Sequence, residues 1–420
     1  MKMDRTKGPE LKSIDHINFE KPQIFEVTTN NKLFCLTNVQ NETAKFELYF
    51  DAGTIHGATE LASIVNELML SGTKDQTSIE IHESIDNLGG FLEQGVSMEN
   101  AVLSIYALRE NILPLAKIIK NAVQNCVFNE NELQQSIKNR KQKLSVNLEK
   151  VSILAQRAFR QRFFSNSEQY SRVTNESDLD AITREQLIEF HQERYLNGLK
   201  NMVLVGNFSQ SEIDAFIDIF GSWCSPAKTT FESNFTNIKG YSHFEKKDAL
   251  QTAIRIGTHL FNKTHEDYPD FIILNTIIGD YFGSRLMKNI REDKGYTYGI
   301  GSFVSELEET GYFMIGTEVG KEVKDQALAE IKYELDKLKT KLVPQEELDL
   351  VKNYLLGQLL KSADGPYSMM DLYLSVEQYN LDLDFYNKMI QAIQHIRPER
   401  LKELANKYLN WDQFTIVTAG

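Results

Sequence analysis

Ile182-Thr183-Arg184-Glu185-Gln186-Leu187, then Tyr195-Leu196-Asn197, then Val203-Leu204-Val205-Gly206 form one closing run of this chain. A second run answers it: Ile396-Arg397-Pro398-Glu399-Arg400-Leu401, Tyr408-Leu409-Asn410 and Ile416-Val417-Thr418-Ala419-Gly420, with Tyr408 standing 213 residues after Tyr195. That distance is about half of the 420 residues. Solenoid units run only to ~20–50 residues, so the repeat reads as a duplicated domain. Each copy closes with a helix, a Tyr-Leu-Asn stop and a short apolar strand.

Outward from these runs, the first copy reads as strands over 24–28, 32–37 and 46–50, helices over 59–70 and 78–88, and a strand pair over 91–97 and 101–108. A long helical pattern over 113–164 breaks near Phe128-Asn129, 165–180 is polar and loop-like, 183–195 is helical and 202–205 is a strand. The second copy replays the plan, with strands over 250–257, 296–303 and 312–317. Its helices fall over 267–281, 284–291, 322–338, 345–360, 369–381 and 383–393. Strands in hairpin order with segregated helices give an α+β fold. The expectation is two homologous domains related by an internal duplication, each a mostly antiparallel sheet with helices packed on one face. The first domain takes 1–224 and the second 242–420. A linker over 225–241 holds Pro226, Gly240 and a polar Ser/Thr/Asn filling. Residues 1–20 read as an exposed arm, and the two copies are expected to face each other across a cleft.

Composition narrows the function. Hydrophobic residues make up 41% and charged residues 25%, with a net charge of −13 and no long basic run. Nucleic acid and membranes are therefore not expected partners. Cys35, Cys126 and Cys224 are widely spaced and odd in number, which argues against a disulfide framework and for small buried or half-buried side chains. Residues 1–20 lack the apolar core and cleavage site of a secretory leader. The expected location is cytoplasmic, or periplasmic if the true start lies upstream.

The chemistry-bearing stretch is Ile290-Arg291-Glu292-Asp293-Lys294-Gly295-Tyr296-Thr297-Tyr298-Gly299-Ile300. A helix enters it, Gly295 ends the helix at φ > 0, and an alternating aromatic strand leaves. Arg291 then lies in the last helical turn, with Tyr296, Tyr298 and Ile300 on one strand face. A guanidinium and a phenol side by side form a donor pair for a peptide carbonyl or its oxyanion. At an ordinary corner the same residues are an Arg meeting the helix dipole and a Tyr packed with its hydroxyl wet.

Asp51-Ala52-Gly53-Thr54-Ile55 precedes Leu61-Ala62-Ser63-Ile64-Val65-Asn66-Glu67-Leu68-Met69-Leu70-Ser71-Gly72-Thr73, and Ser78-Ile79-Glu80 and Leu88-Gly89-Gly90 follow. With Gly283-Ser284-Arg285-Leu286 running into Arg291 and Tyr298, this layout resembles the insulinase/pitrilysin family of zinc metallopeptidases across nearly the whole chain. The family's motif H-x-x-E-H, followed by M-L-F-x-G-T, is degenerate here: Ser63, Asn66 and Glu67 stand where two histidines and a glutamate grip and use zinc. The family's third ligand is an acid falling near 141–150, where Glu149 has nothing to complete. His16, His56, His82, His191, His243, His259, His265 and His395 include no pair three or four apart, and read as surface or capping residues. No metal is expected on this chain.

The resemblance also implies a role for the corner. Family members carry an arginine and a tyrosine seven apart that reach the scissile peptide, and Arg291 and Tyr298 match that spacing. In some members one subunit brings H-x-x-E-H and a partner lacking it brings the Arg/Tyr pair. This chain then reads as a non-catalytic subunit of a heteromeric zinc peptidase, inactive alone. Zinc sits in a homologous H-x-x-E-H partner, and Arg291 and Tyr298 act in trans on the carbonyl of an unfolded peptide substrate. The alternative is a structural core-type subunit with no part in proteolysis; a self-sufficient peptidase ranks last, since the ligands are missing. Ile278-Gly279-Asp280-Tyr281-Phe282-Gly283, with two glycines, does not match the glycine-rich loop of the processing peptidases' substrate-guiding subunit.

Overall fold

The computed structural model describes residues 14–28, 31–223 and 234–420, so Cys224 and 225–233 of the linker reading lie outside the described residues. Two sheets carry the chain. The first contains β1 (Gln23–Glu26), β2 (Lys32–Leu36), β3 (Thr43–Phe50), β4 (Phe91–Val96), β5 (Ala101–Leu108) and β6 (Leu199–Val205), in the order β1-β2-β6-β3-β5-β4. The second contains β7 (Gly240–Phe244), β8 (Gln251–Leu260), β9 (Thr297–Glu306), β10 (Gly311–Gly320) and β11 (Thr415–Ala419), in the order β7-β11-β8-β10-β9. With β1 set aside, the two orders superpose strand for strand. Each sheet is antiparallel except for one parallel pair, β2 with β6 and β7 with β11. The closing runs of the repeat thus end in equivalent inner strands, β6 and β11, which is why they stay alike: both are buried. The fold is α+β and duplicated, as the sequence reading has it.

Each sheet packs one face on helices of its own half. In the first half these include α1 (Leu61–Leu68), α2 (Ser78–Asp86) and α3 (Arg109–Asn125), which bury Ile64, Val65, Ile85, Leu115 and Ile119 against Phe46, Leu48 and Leu103. α4 (Glu130–Leu148) and α5 (Val151–Phe163) follow. The other face of each sheet is crossed by a helix from the opposite half. α5 lies on β8 and β11, burying Ala155, Phe159 and Phe163 with Ala253, Met314 and Val417. Reciprocally, the helix Pro366–Glu377 lays Met370 on Phe34, Leu36, Val203 and Val205 of the first sheet. This exchange holds the halves together through apolar area, worth roughly 25 cal/mol for each Å² removed from water. It also lays α5, which carries Gln156, against the second sheet beside the site.

An ion cluster, buried at Lys45 and Glu47 and open at Asp371, underlies the second crossing. Lys45 of β3 is 2% exposed, with Nζ 3.1 Å from Glu47 and 2.8 Å from Asp371 of the crossing helix. Glu47 also accepts from Ser104 Oγ at 2.7 Å. At the hairpin ends, Glu99 accepts from the Tyr170 hydroxyl at 2.9 Å and from the Glu308 backbone N–H at 3.0 Å, joining the two halves again. Burial pushes the Glu99 carboxyl above its usual range.

Several sequence expectations need correction. The helical pattern over 113–164 breaks a second time, at Glu149 and Lys150 between α4 and α5. The polar stretch 165–180 contains two short helices, Glu168–Ser171 and Glu176–Asp180, each begun by a side-chain cap. The helix Gln210–Phe220, started by a Ser209/Glu212 capping box, packs Phe216 and Phe220 on Phe46. Gly240 and Tyr241 pair with Thr415 and Ile416 as the start of β7. Residues 14–20 are not a free arm: Ile17 N–H donates to Asn387 Oδ1 at 3.0 Å, and Phe19 meets Tyr386 at 5.5 Å in the second half.

Candidate functional site

The corner is built from its supports. The helix Tyr268–Ile278 ends at Gly279, where a Cβ would stand 2.5 Å from the Ser302 nitrogen. Glycine therefore lets this turn press on β9, and Ser302 N–H donates to the Gly279 carbonyl at 3.2 Å. The following turn, Met287–Asp293, is a wide π-helical one that points Met287 and Ile290 into the core. Arg285 forks onto both oxygens of Glu347 at 2.8 Å each. Asn289 Nδ2 donates to Glu330 at 3.0 Å and Glu334 at 2.8 Å. The backbone at Arg291 is thus pinned to two neighbouring helices. Gly295 has φ +66°, the left-handed stop that the sequence suggests.

The side chains that emerge from this rigid corner are the free ones. The Arg291 guanidinium lies over the ring of Phe282 (4.7 Å) and that of Tyr298 (5.6 Å), a stacked arrangement that leaves its N–H edge open. Tyr298 is 93% exposed. Among the described residues, neither its hydroxyl nor the Arg291 guanidinium has a hydrogen-bond or ion-pair partner. The expectation that Tyr298 shares a face with Ile300 fails, because Ile300 is 5% exposed and sits in the second core. The cause is a β-bulge: the β9/β10 register passes from Thr317↔Ile300 to Val319↔Thr297, which breaks the alternation at Tyr298 and Gly299. Bulges re-aim side chains in this way, and here the phenol is turned out of the core. It borders an open groove of about 580 Å³ whose walls include Gln156 of α5, Arg255 of β8, and Phe303, Gly316 and Glu318.

The degenerate motif lies on α1. Asn66 is buried, its Nδ2 donating to the Tyr195 hydroxyl at 3.0 Å and its carbonyl accepting from Gln94. Ser63 is half-buried, and Glu67 is exposed. The Glu67 carboxylate accepts from Ser136 Oγ at 3.1 Å and from Arg140, both on α4, while Arg140 also grips Glu60. The cation held in this region is therefore a guanidinium between two carboxylates. Glu149 is turned to Lys246 of the second half, 2.8 Å away. An amide, a hydroxyl and an already paired carboxylate do not fit a zinc ion, which needs imidazole, thiolate or free carboxylate donors. Among the described residues, no group of three or more His, Cys, Asp or Glu could hold a metal ion.

A second cavity of about 300 Å³ opens over Ser63 and Glu60 and is walled by Arg157, Arg160 and Arg172. It shares Gln156 with the Tyr298 groove, so the degenerate motif and the corner border adjoining spaces in one chain. Sequence reading missed Arg140, Gln156, Arg157, Arg160 and Arg255. The signal for part of this set was present, since Arg157 and Arg160 stand three apart and share one helix face. Arg255 carried no such mark on its strand.

The histidines keep the surface or capping roles expected of them: His16, His82, His243 and His395 are exposed, while His191 and His259 cap carbonyls in the last turns of α3 and α5. His191 is buried, with Nε2 2.8 Å from the Val123 carbonyl, and burial lowers its pKa to about 4. His259 places Nε2 3.1 Å from the Phe163 carbonyl, and burial likewise lowers it to about 4. Cys35 is buried and Cys126 half-buried, and burial pushes both thiols up to about 12, which keeps them as inert neutral groups.

The chain is similar to known proteins over both of its halves. The description "Insulinase (Peptidase family M16)" matches residues 33–175, and "Peptidase M16 inactive domain" matches 181–355. An uncharacterized zinc protease of Bacillus subtilis, YmxG, is 24% identical over 373 residues, 87% of this chain and 90% of that one. A probable inactive metalloprotease of the same organism, YmfF, is 23% identical over 197 residues, 46% of each chain. The probable mitochondrial-processing peptidase subunit beta of Arabidopsis thaliana is 21% identical over 442 residues, 98% of this chain and 81% of that one. A crystal structure of a peptidase M16 inactive domain from Pseudomonas fluorescens superposes with a TM-score of 0.86 at 24% identity, covering 95% of this chain and 98% of that chain.

Proposed function

Given that the chain belongs to the insulinase (M16) family of peptidases and carries its inactive-type domain, we propose that it is the non-catalytic subunit of a heteromeric zinc metallopeptidase. A homologous partner with an intact H-x-x-E-H motif supplies the zinc and the general base. This chain closes the chamber, and Tyr298 and Arg291 donate to the carbonyl of an unfolded peptide as it becomes an oxyanion. The peptide is held as an added strand on a sheet edge, by main-chain hydrogen bonds. The domain division after 224 belongs to the same reading, with the second domain opening at Gly240 on β7.

One observation carries it. The donors suited to a carbonyl stand unpartnered on a braced corner, Tyr298 bordering an open groove and Arg291 stacked on its ring, while the zinc positions are closed by Asn66–Tyr195 and Glu67–Arg140 contacts. A packing role for Tyr298 would have buried it. The test is co-expression with an H-x-x-E-H paralogue, followed by peptide cleavage by each chain alone and by the two together. Cleavage that requires this chain in the mixture supports the reading. Cleavage by this chain alone refutes it, and a mixture no faster than the partner alone leaves the structural core-type role.

A further inference from the structure

In a chain of net charge −13, the space around Gln156 is lined against the trend. Arg157, Arg160 and Arg172 wall one cavity and Arg255 the other, against two lining carboxylates, Glu60 and Glu318. Glu60 is already occupied, by Arg140 and by Thr174 Oγ1. The arginines meet mainly neutral acceptors. Arg157 donates to the Thr174 carbonyl and Asn175 Oδ1, and Arg160 Nε to the Tyr170 carbonyl. Arg255 donates from Nε to Gln156 Oε1, and from Nη1 to the carbonyls of Ile254 and Thr317.

Several structural arginines elsewhere in the molecule look different, although Arg184 too meets only backbone carbonyls. Arg140, Arg194, Arg285 and Arg400 each lie within ion-pair distance of a carboxylate. Among the described residues, Arg157, Arg160 and Arg255 have no carboxylate within that distance. Arg160 spends only Nε on the protein, and Arg255 leaves Nη2 unused. A guanidinium drawn partly out of water and hydrogen-bonded only to neutral groups, with Asp178 near Arg157 and Glu318 near Arg255 acting only from beyond ion-pair distance, is incompletely compensated and gains from an incoming carboxylate, which can take two parallel N–H donors.

We propose that Arg157, Arg160 and Arg255, arrayed around Gln156, form a subsite for acidic side chains of the peptide whose scissile carbonyl lies at Tyr298. This rests on the peptide-holding function proposed above and names its substrate class: unfolded segments with Asp or Glu near the bond to be cut. Glu318 lines the same groove and sets a limit, since it repels a carboxylate placed beside it. The subsite is therefore centred on the Gln156 side, away from the bulge.

The experiment uses the full chain and two fluorescein-labelled unstructured peptides that differ only in three central residues, Glu in one and Gln in the other. Binding is read by anisotropy at low and at high salt. Wild type is expected to bind the Glu peptide about tenfold more tightly at low salt, with the difference shrinking as salt rises. Arg255→Gln and Arg157→Gln are each expected to narrow the gap several-fold, with circular dichroism and urea unfolding showing that the variants are folded. Equal binding of the two peptides by wild type, or a gap undiminished in both variants, overturns the subsite while leaving peptide holding intact. Binding of neither peptide overturns both.

Discussion

Replacing His191 by Gln isolates one term of this protein's acid sensitivity. The ring is enclosed by Phe128 at 5.2 Å and Tyr195 at 6.0 Å, with Cys126 Sγ 3.5 Å from Nε2, and its one strong contact is the Val123 carbonyl 2.8 Å from Nε2. That contact uses the N–H the neutral ring already has, so a proton added at Nδ1 places a charge where burial opposes it. The pKa falls from 6.5 to about 4. A folded-state value below the unfolded one means that the unfolded chain binds more protons between those limits, so stability falls as pH drops from about 6.5 toward 4. Going from pH 7 to pH 5 this linkage removes about 2 kcal/mol for His191. His259, also lowered to about 4 by burial, acts in the same direction. His191→Gln keeps a donor for the Val123 carbonyl and removes the titration. Urea unfolding at pH 7 and pH 5 should then show the variant losing about 2 kcal/mol less than wild type across that interval. Equal losses in the two proteins would refute the assignment.

Two further perturbations test the architecture around the site. Arg140→Gln leaves the Glu60 and Glu67 carboxylates facing each other without their cation; it should cost about 1–2 kcal/mol by urea unfolding, and add no stoichiometric zinc by metal analysis. Lys45→Met strands the Glu47 carboxylate, 6% exposed, beneath the helix Pro366–Glu377. It should cost about 3–5 kcal/mol, and a second change, Glu47→Gln, should recover part of that; a single-variant cost under about 1 kcal/mol would mean the cluster does not clamp the helix.

How much of this was legible beforehand depended on range. Local signals were reliable: Gly295 stops its helix, the Tyr-Leu-Asn repeats mark equivalent strands, and β4 and β5 follow the Gly89-Gly90 break. The parallel pairing of β7 with β11 was not legible, because its partners are more than 170 residues apart and Gly240–Phe244 is short and half-exposed. The crossing of α5 onto the opposite sheet was hidden for a like reason: its small buried residues, Ala155 and Ala158, look like ordinary helix formers until the facing Ala253 and Ala419 are known. At the site, the spacing of Arg291 and Tyr298 could be read, but the facing of Tyr298 could not, since an added residue in a strand leaves no periodic mark. Arg140 escaped notice because a lone arginine on a charged helix carries no sign of what it faces.

The most direct test concerns the phenol. In the reconstituted pair, Tyr298→Phe removes one donor to the developing oxyanion and nothing from the core. With saturating peptide, kcat should fall about a hundredfold while KM and assembly with the partner stay as in wild type. Unchanged turnover in that mutant pair would contradict the claim that this corner takes part in peptide cleavage.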